Sequence, residues 1–120
     1  MLKLVILIKK KKGISRKDFI NYYETHHAVL GKRLVGHLWT KYVRNYPVQL
    51  MEYNEATSID DSYDAITEIW LKDQAAADEM ARIVNIPENN AAILEDEENF
   101  QEREFTRMLI VDEVDNGTTL

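Results

Sequence analysis

The run LKLVILI at residues 2–8 is apolar at every position but Lys3, so a strand built from it is greasy on both alternating faces. Such a strand has to be covered on two sides. One layer of helices covers only one of them, and a second sheet, supplied by another copy of the chain, is expected to cover the other. The run is too short to cross a bilayer, and its lysines mostly follow it instead of preceding it, which is the wrong order for a secretory leader. No membrane association is expected, and the cytoplasm is the expected compartment.

With 120 residues, 45% hydrophobic and 30% charged, the chain has material for one domain with a modest core. That domain is expected over residues 1–113. The end, residues 114–120, has too little apolar content to pack and is expected to fray. Cysteine is absent, which excludes a thiol nucleophile, a disulfide and a cysteine-bound zinc or iron–sulfur centre.

Residues 1–50 carry 11 Lys and Arg against 2 Asp and Glu, whereas residues 51–120 carry 4 against 19. Opposed halves of this kind can place complementary surfaces together, or can simply be two solvated faces. The lysine run 9–12 ends at Gly13 and makes the turn out of the strand. In a chain of net charge −6 without a nucleic-acid-binding motif it reads as a solvated loop, and no nucleic acid partner is expected.

Ser15 followed by Asp18 has capping-box spacing and starts a helix over residues 15–30. At about 100° per residue, Phe19, Tyr22, Tyr23, His26 and Leu30 fall in one stripe. On that wheel His26 lies about 20° from Phe19 and His27 about 80° away. The two histidines are the groups here suited to proton exchange near neutral pH. Gly31 and Gly36 bracket residues 32–35, read as a connector.

Residues 38–46 alternate as a strand, with Trp39, Val43 and Asn45 on one face and Leu38, Tyr42, Arg44 and Tyr46 on the other. Pro47 ends it. Residues 48–62 read as a loop, with a short strand expected near residues 48–53. Residues 65–71 form the third strand, placing Ile66, Glu68 and Trp70 together. Asp73 then caps a helix over residues 74–84 with the stripe Ala77, Met80, Ala81, Val84. Pro87 opens a further helix towards Phe100, and residues 105–111 complete the strands. The order strand, helix, strand, strand, helix, extra helix, strand is that of an α+β, ferredoxin-like fold: a four-stranded antiparallel sheet with helices on one face.

Laid out in this way, the chain resembles the EthD family of the dimeric α+β barrel superfamily. The resemblance rests on ILIKKKKGISRKDFINYYETHHAVL, WTKYVRNYP, YDAITEIWLKD, EDEENF and RMLIVDE, in the family's order. It implies a homodimer with a pocket between each sheet and its own helices, taking small hydrophobic, aromatic, lactone or polyketide-derived molecules. Chemistries known in the family and its relatives include cofactor-independent oxygenation, isomerisation and dehydration. Other members are accessory proteins. The family motif falls on Phe19, Tyr22, Tyr23, His27, Ala28 and Leu30, with Val29 where proline is usual, so the helix has licence to run further here. By this pattern His27 is the family histidine. Relatives that isomerise lactones with a cysteine have no counterpart of that group in this chain.

The expected mechanism is acid–base catalysis by His27, with His26 the alternative, while the Tyr23 or Tyr42 hydroxyl holds a developing oxyanion. Tyr22, Tyr23, Tyr42 and Trp70 are expected as pocket lining, with Asn45 as a polar contact. Glu68 either orients a histidine or pairs with a basic residue on a dimer face, the latter being preferred. Asp96 and Phe100 lie in the acidic segment that covers the pocket mouth, without a chemical role. Adjacent histidines point about 100° apart on a helix and do not chelate one ion, so no metal is expected. No cofactor is expected either, with haem, which some dimeric α+β barrels hold, as the minor alternative. A histidine that merely caps the helix end, and a binding or accessory protein that uses the same pocket without turnover, are the readings set against catalysis.

Overall fold

A computed structural model describes residues 1–55 and 62–118 of the chain. Strand β1 (Leu2–Ile8) leads into helix α1 (Arg16–Tyr22), a π turn (Tyr23–His27), helix α2 (Ala28–Val35), a 3-10 turn and strand β2 (Trp39–Asn45). Strand β3 (Ala65–Leu71), helices α3 (Gln74–Val84) and α4 (Pro87–Glu98), a second 3-10 turn and strand β4 (Arg107–Val111) follow. The four strands pair antiparallel in the order β2-β3-β1-β4, and the helices share one side, which is the ferredoxin-like fold.

Local chemistry starts the helices. Ser15 Oγ accepts from the Asp18 amide at 3.0 Å and Asp73 Oδ1 from the Ala76 amide at 2.9 Å, each relieving an unpaired N–H of a first turn. Pro87 occupies the first turn of α4, where its missing N–H costs nothing.

Register sorts the strands into an inner face towards the helices and an outer one. Leu4, Ile6, Ile8, Ala65, Thr67 and Ile69 face inward, and Phe19, Tyr23, Ala28 and Phe100 close over one end of them. The Phe19 and Phe100 rings stack at 5.6 Å, and Tyr23 meets Phe19 edge-on at 6.3 Å. Lys3, Val5, Leu7, Ile66, Glu68 and Trp70 face outward.

Three local expectations are corrected. Residues 32–35 are the last turn of α2 and not a connector. The chain has no proline at 29 to stop the helix, and Gly31 lies within it, where a Cβ would come within 3.2 Å of Trp39 Cη2. A register shift between Trp39 and Lys41 turns Trp39 to the inner face, where its ring lies 4.6 Å from Tyr42, the residue expected opposite it. No strand forms over residues 48–53: Val48, Met51 and Tyr53 are exposed and no neighbouring strand pairs with them. The rest of the loop, residues 56–61, lies outside the described residues.

Candidate functional site

The site begins with a helical irregularity. Within residues 23–27 the backbone hydrogen bond skips five residues, the Ala28 amide donating to the Tyr23 carbonyl. One extra residue is thereby absorbed into the helix, and His27 takes the place that position 26 would hold on an unbroken wheel. His27 consequently lines the interior, its ring 4.9 Å from Tyr23 and 4.8 Å from Phe100. His26 is exposed, stacked on Tyr22 at 4.6 Å and within 2.7 Å of Thr25 Oγ1. The wheel that put His26 inward is corrected by this turn.

Behind His27 stands a buried carboxylate. Nδ1 of His27 lies 2.5 Å from Oδ2 of Asp96, which is 8% exposed, and the other carboxylate oxygen accepts from the Tyr22 hydroxyl at 3.1 Å. Asn99 Nδ2 donates to that hydroxyl at 3.0 Å, completing a chain that satisfies both Asp96 oxygens. Burial, foremost, raises the Tyr22 phenol above its ordinary value of 10, so it stays a donor. His27 Nε2 has no hydrogen-bond partner among the described residues, whereas Nδ1 is taken by the carboxylate. That arrangement leaves Nε2 as the nitrogen able to accept a proton from a molecule beside it.

His27 opens onto a cavity of about 630 Å³ between the inner face of the sheet and the helices. Its floor is Leu4, Ile6, Thr67 and Ile69, its roof includes Leu34, Ala77 and Val84, and Trp39 stands at the β2 side. Most of its lining surface is apolar, although Gln74, Asp78, Asn85, Asn90, Glu97, Gln101 and Thr106 also border it, and its hydroxyls gather on the β2 side. The Tyr23 hydroxyl lies 2.5 Å from Thr67 Oγ1, and the Tyr42 hydroxyl donates to Tyr23 at 3.5 Å. Burial is the main cause that raises both phenols above their ordinary value, so both remain protonated O–H groups. An apolar hollow with a few convergent hydroxyls and one imidazole has the composition of a small-molecule site.

Not every expected residue joins it. Tyr22 lines no part of the cavity and stands on the far side of Asp96, its ring against Phe100 at 5.1 Å. Trp70 and Asn45 are on the outer face of the sheet, because odd and even positions of β2 and β3 point to opposite sides. There Trp70 donates to Glu113 at 2.7 Å and Asn45 donates to Glu68 at 3.0 Å. Glu68 pairs with Lys3 at 2.9 Å and is remote from either histidine beneath the sheet. Asp96, left without a role by the sequence, is the carboxylate that Glu68 is not. A signal for it exists: it lies three residues after Ile93 and four before Phe100, an acid on the apolar face of α4. Among the described residues no three His, Asp or Glu side chains gather as a metal site requires.

Comparison with known proteins agrees with this architecture. An EthD family protein from Bacillus halodurans C-125 is 17% identical, with a TM-score of 0.63 over 95% of this chain and 99% of that one. HapK from Hahella chejuensis is 12% identical, with a TM-score of 0.60 over 100% of this chain and 99% of its own. A dimeric ferredoxin-like protein of unknown function from Thermobifida fusca is 13% identical, with a TM-score of 0.59 over 92% and 88%. These likenesses show a shared fold. No curated protein matches significantly. The model of the EthD domain matches residues 11–104, most of the chain, and with that match the chain belongs to the EthD family.

Proposed function

We propose that this protein is a homodimeric small-molecule enzyme that works by acid–base chemistry on a hydrophobic, oxygenated molecule of aromatic, lactone or polyketide-derived type, without a cofactor. The observation that carries the reading is the His27–Asp96 pair at the wall of a largely apolar cavity. His27 Nε2 takes a proton from a carbon activated by a neighbouring carbonyl or from a phenolic O–H. The Asp96 carboxylate balances the imidazolium that results, and the Tyr42 hydroxyl, turning from its long 3.5 Å bond to Tyr23, donates to the oxygen on which negative charge collects. The enolate then accepts the proton at another carbon, expels hydroxide that leaves as water, or attacks a second carbonyl. Isomerisation, dehydration and ring closure are these three outcomes. A carbanion open to dioxygen is the route to oxygenation, and a structure described as an antibiotic biosynthesis monooxygenase shares the fold at 14% identity and a TM-score of 0.54.

Homodimer formation is supported by the outer sheet face, where Leu109 is exposed and Val5 and Leu7 are only half-buried among the described residues, and by the neighbours described as dimeric. The described residues contain no helix long and apolar enough to cross a membrane.

The test is exchange of the acidic methylene protons of benzoylacetone for deuterium, followed by NMR. Wild-type protein is expected to speed exchange, and His27→Gln to lose about two orders of magnitude while still binding the diketone. Binding without acceleration in the wild type would replace this reading by that of a non-catalytic binding protein.

A further inference from the structure

We infer that the ligand is elongated, with its oxygenated end inside under the first helix and an apolar tail that crosses β1 and runs out over strand β4. This rests on the proposal that the cavity binds a small hydrophobic molecule. The register of the sheet carries it. On the inner face Tyr42 pairs with Ile69, Ile69 with Leu4 and Leu4 with Ile110, a single row across all four strands. The next row runs from Thr67 through Ile6 to Met108. Both rows line the same cavity from end to end. Three strand spacings of about 4.8 Å make its floor about 14 Å long.

The two ends of that floor differ in chemistry. Over β2 and β3 stand the hydroxyls of Tyr42, Tyr23 and Thr67, with Trp39 behind them against the Gly31 backbone. Over β4 the floor is only Met108 and Ile110, which are 61% and 70% exposed although they face the helix side. α3 and α4 do not close over them: α3 has no buried residue, and α4 has only Asp96. Asn85, Asn90, Glu97, Gln101 and Thr106 line the same cavity as this apolar strip, and an apolar patch bordered by polar residues is the mark of a binding groove. Because the strip continues the cavity floor without a step, the occupant that covers both is one molecule, polar at its enclosed end and hydrocarbon at the mouth.

Two phenyl ketones with the same polar end measure the tail. Acetophenone ends within the enclosed part, and octanophenone reaches the strip. Each buried methylene is worth about a fourfold gain in affinity. Calorimetry with the wild-type protein is expected to show octanophenone binding at least about thirtyfold more tightly than acetophenone. Met108→Asp and Ile110→Asp should each lower octanophenone affinity about tenfold more than acetophenone affinity. Equal affinity for the two ketones, or a ratio that neither substitution changes, overturns the inference while leaving acetophenone binding as support for the underlying site. Failure of both ketones to bind overturns the binding-site reading and this inference with it. A loss of dimer in Ile110→Asp by sedimentation, with the ketone ratio unchanged, would assign the strip to a second copy and also overturn it.

Discussion

His27 and Asp96 are 69 residues apart in the chain, yet Nδ1 of one lies 2.5 Å from Oδ2 of the other, with Tyr22 holding the second carboxylate oxygen. The carboxylate fixes which imidazole nitrogen carries hydrogen and which way the ring faces. Asp96→Asn keeps the shape but allows the opposite tautomer, so proton exchange with benzoylacetone should fall about a hundredfold with binding little changed. Tyr22→Phe, which removes one donor from the same carboxylate, should cost less than Asp96→Asn. Deuterium exchange rates in the three proteins check the order.

The π turn contains one residue more than an α-helix needs. Thr25 is exposed within it, and its hydroxyl bonds to the Asn21 carbonyl at 2.7 Å. Deleting Thr25 should restore an unbroken α-helix and keep His27 facing the cavity, because its new position falls on the Phe19 stripe. The deleted protein should fold, bind acetophenone and retain most of its exchange activity. An imidazole that points outward in its crystal structure would contradict this account of the turn.

The Tyr23 hydroxyl and Thr67 Oγ1 satisfy each other beneath the helix, where both residues are about 1% exposed. Tyr23→Phe leaves a buried hydroxyl without that partner and should cost about 1–3 kcal/mol in urea unfolding, as should Thr67→Val. Replacing both removes the pair together, so the double variant should lose less than the sum of the two single losses.

Glu24 ties the π turn to β2 through the Arg44 guanidinium, at 2.5 and 3.0 Å, and to the residue just after that strand through the Tyr46 hydroxyl. The Arg44 hydrogen bonds, chiefly, hold its carboxyl below the ordinary value of 4.5, with burial opposing. A carboxyl depressed by folding contributes stability that is present above its unfolded value and lost as pH falls through the lower, folded one. Thermal melts from about pH 5 to about pH 3 should therefore fall less steeply for Glu24→Gln than for the wild type. Glu24 is 36% exposed, and screening limits the difference to about 1 kcal/mol or less.

Leu109 and Ile110 are neighbours on β4 that point to opposite faces of the sheet. Leu109 shares the outer face with Val5, so Leu109→Glu should turn the proposed dimer into a monomer in sedimentation experiments. Ile110→Glu, on the cavity side, should leave the dimer intact.

Much of the fold was legible because its signals are local. Ser15 and Asp73 mark helix starts through bonds made within three residues, and the LKLVILI and AITEIWL runs pair in the antiparallel order their patterns imply. The site was legible only in part. Tyr23 and Tyr42 line the cavity, but Trp70 and Asn45 do not, since a strand pattern gives two faces without saying which one the helices will cover.

By itself the chain determined most of the elements, their order and the need to cover the outer face of β1, because caps and hydrophobic period act between residues close in sequence. Only the tertiary structure decided three single-residue shifts in outcome: His27 inward and not His26, Trp39 beside Tyr42 and not opposite it, and Asp96 rather than Glu68 against the imidazole. Each is a change of register or partner that costs little locally. The choice is therefore made by packing and hydrogen bonding with groups far along the chain.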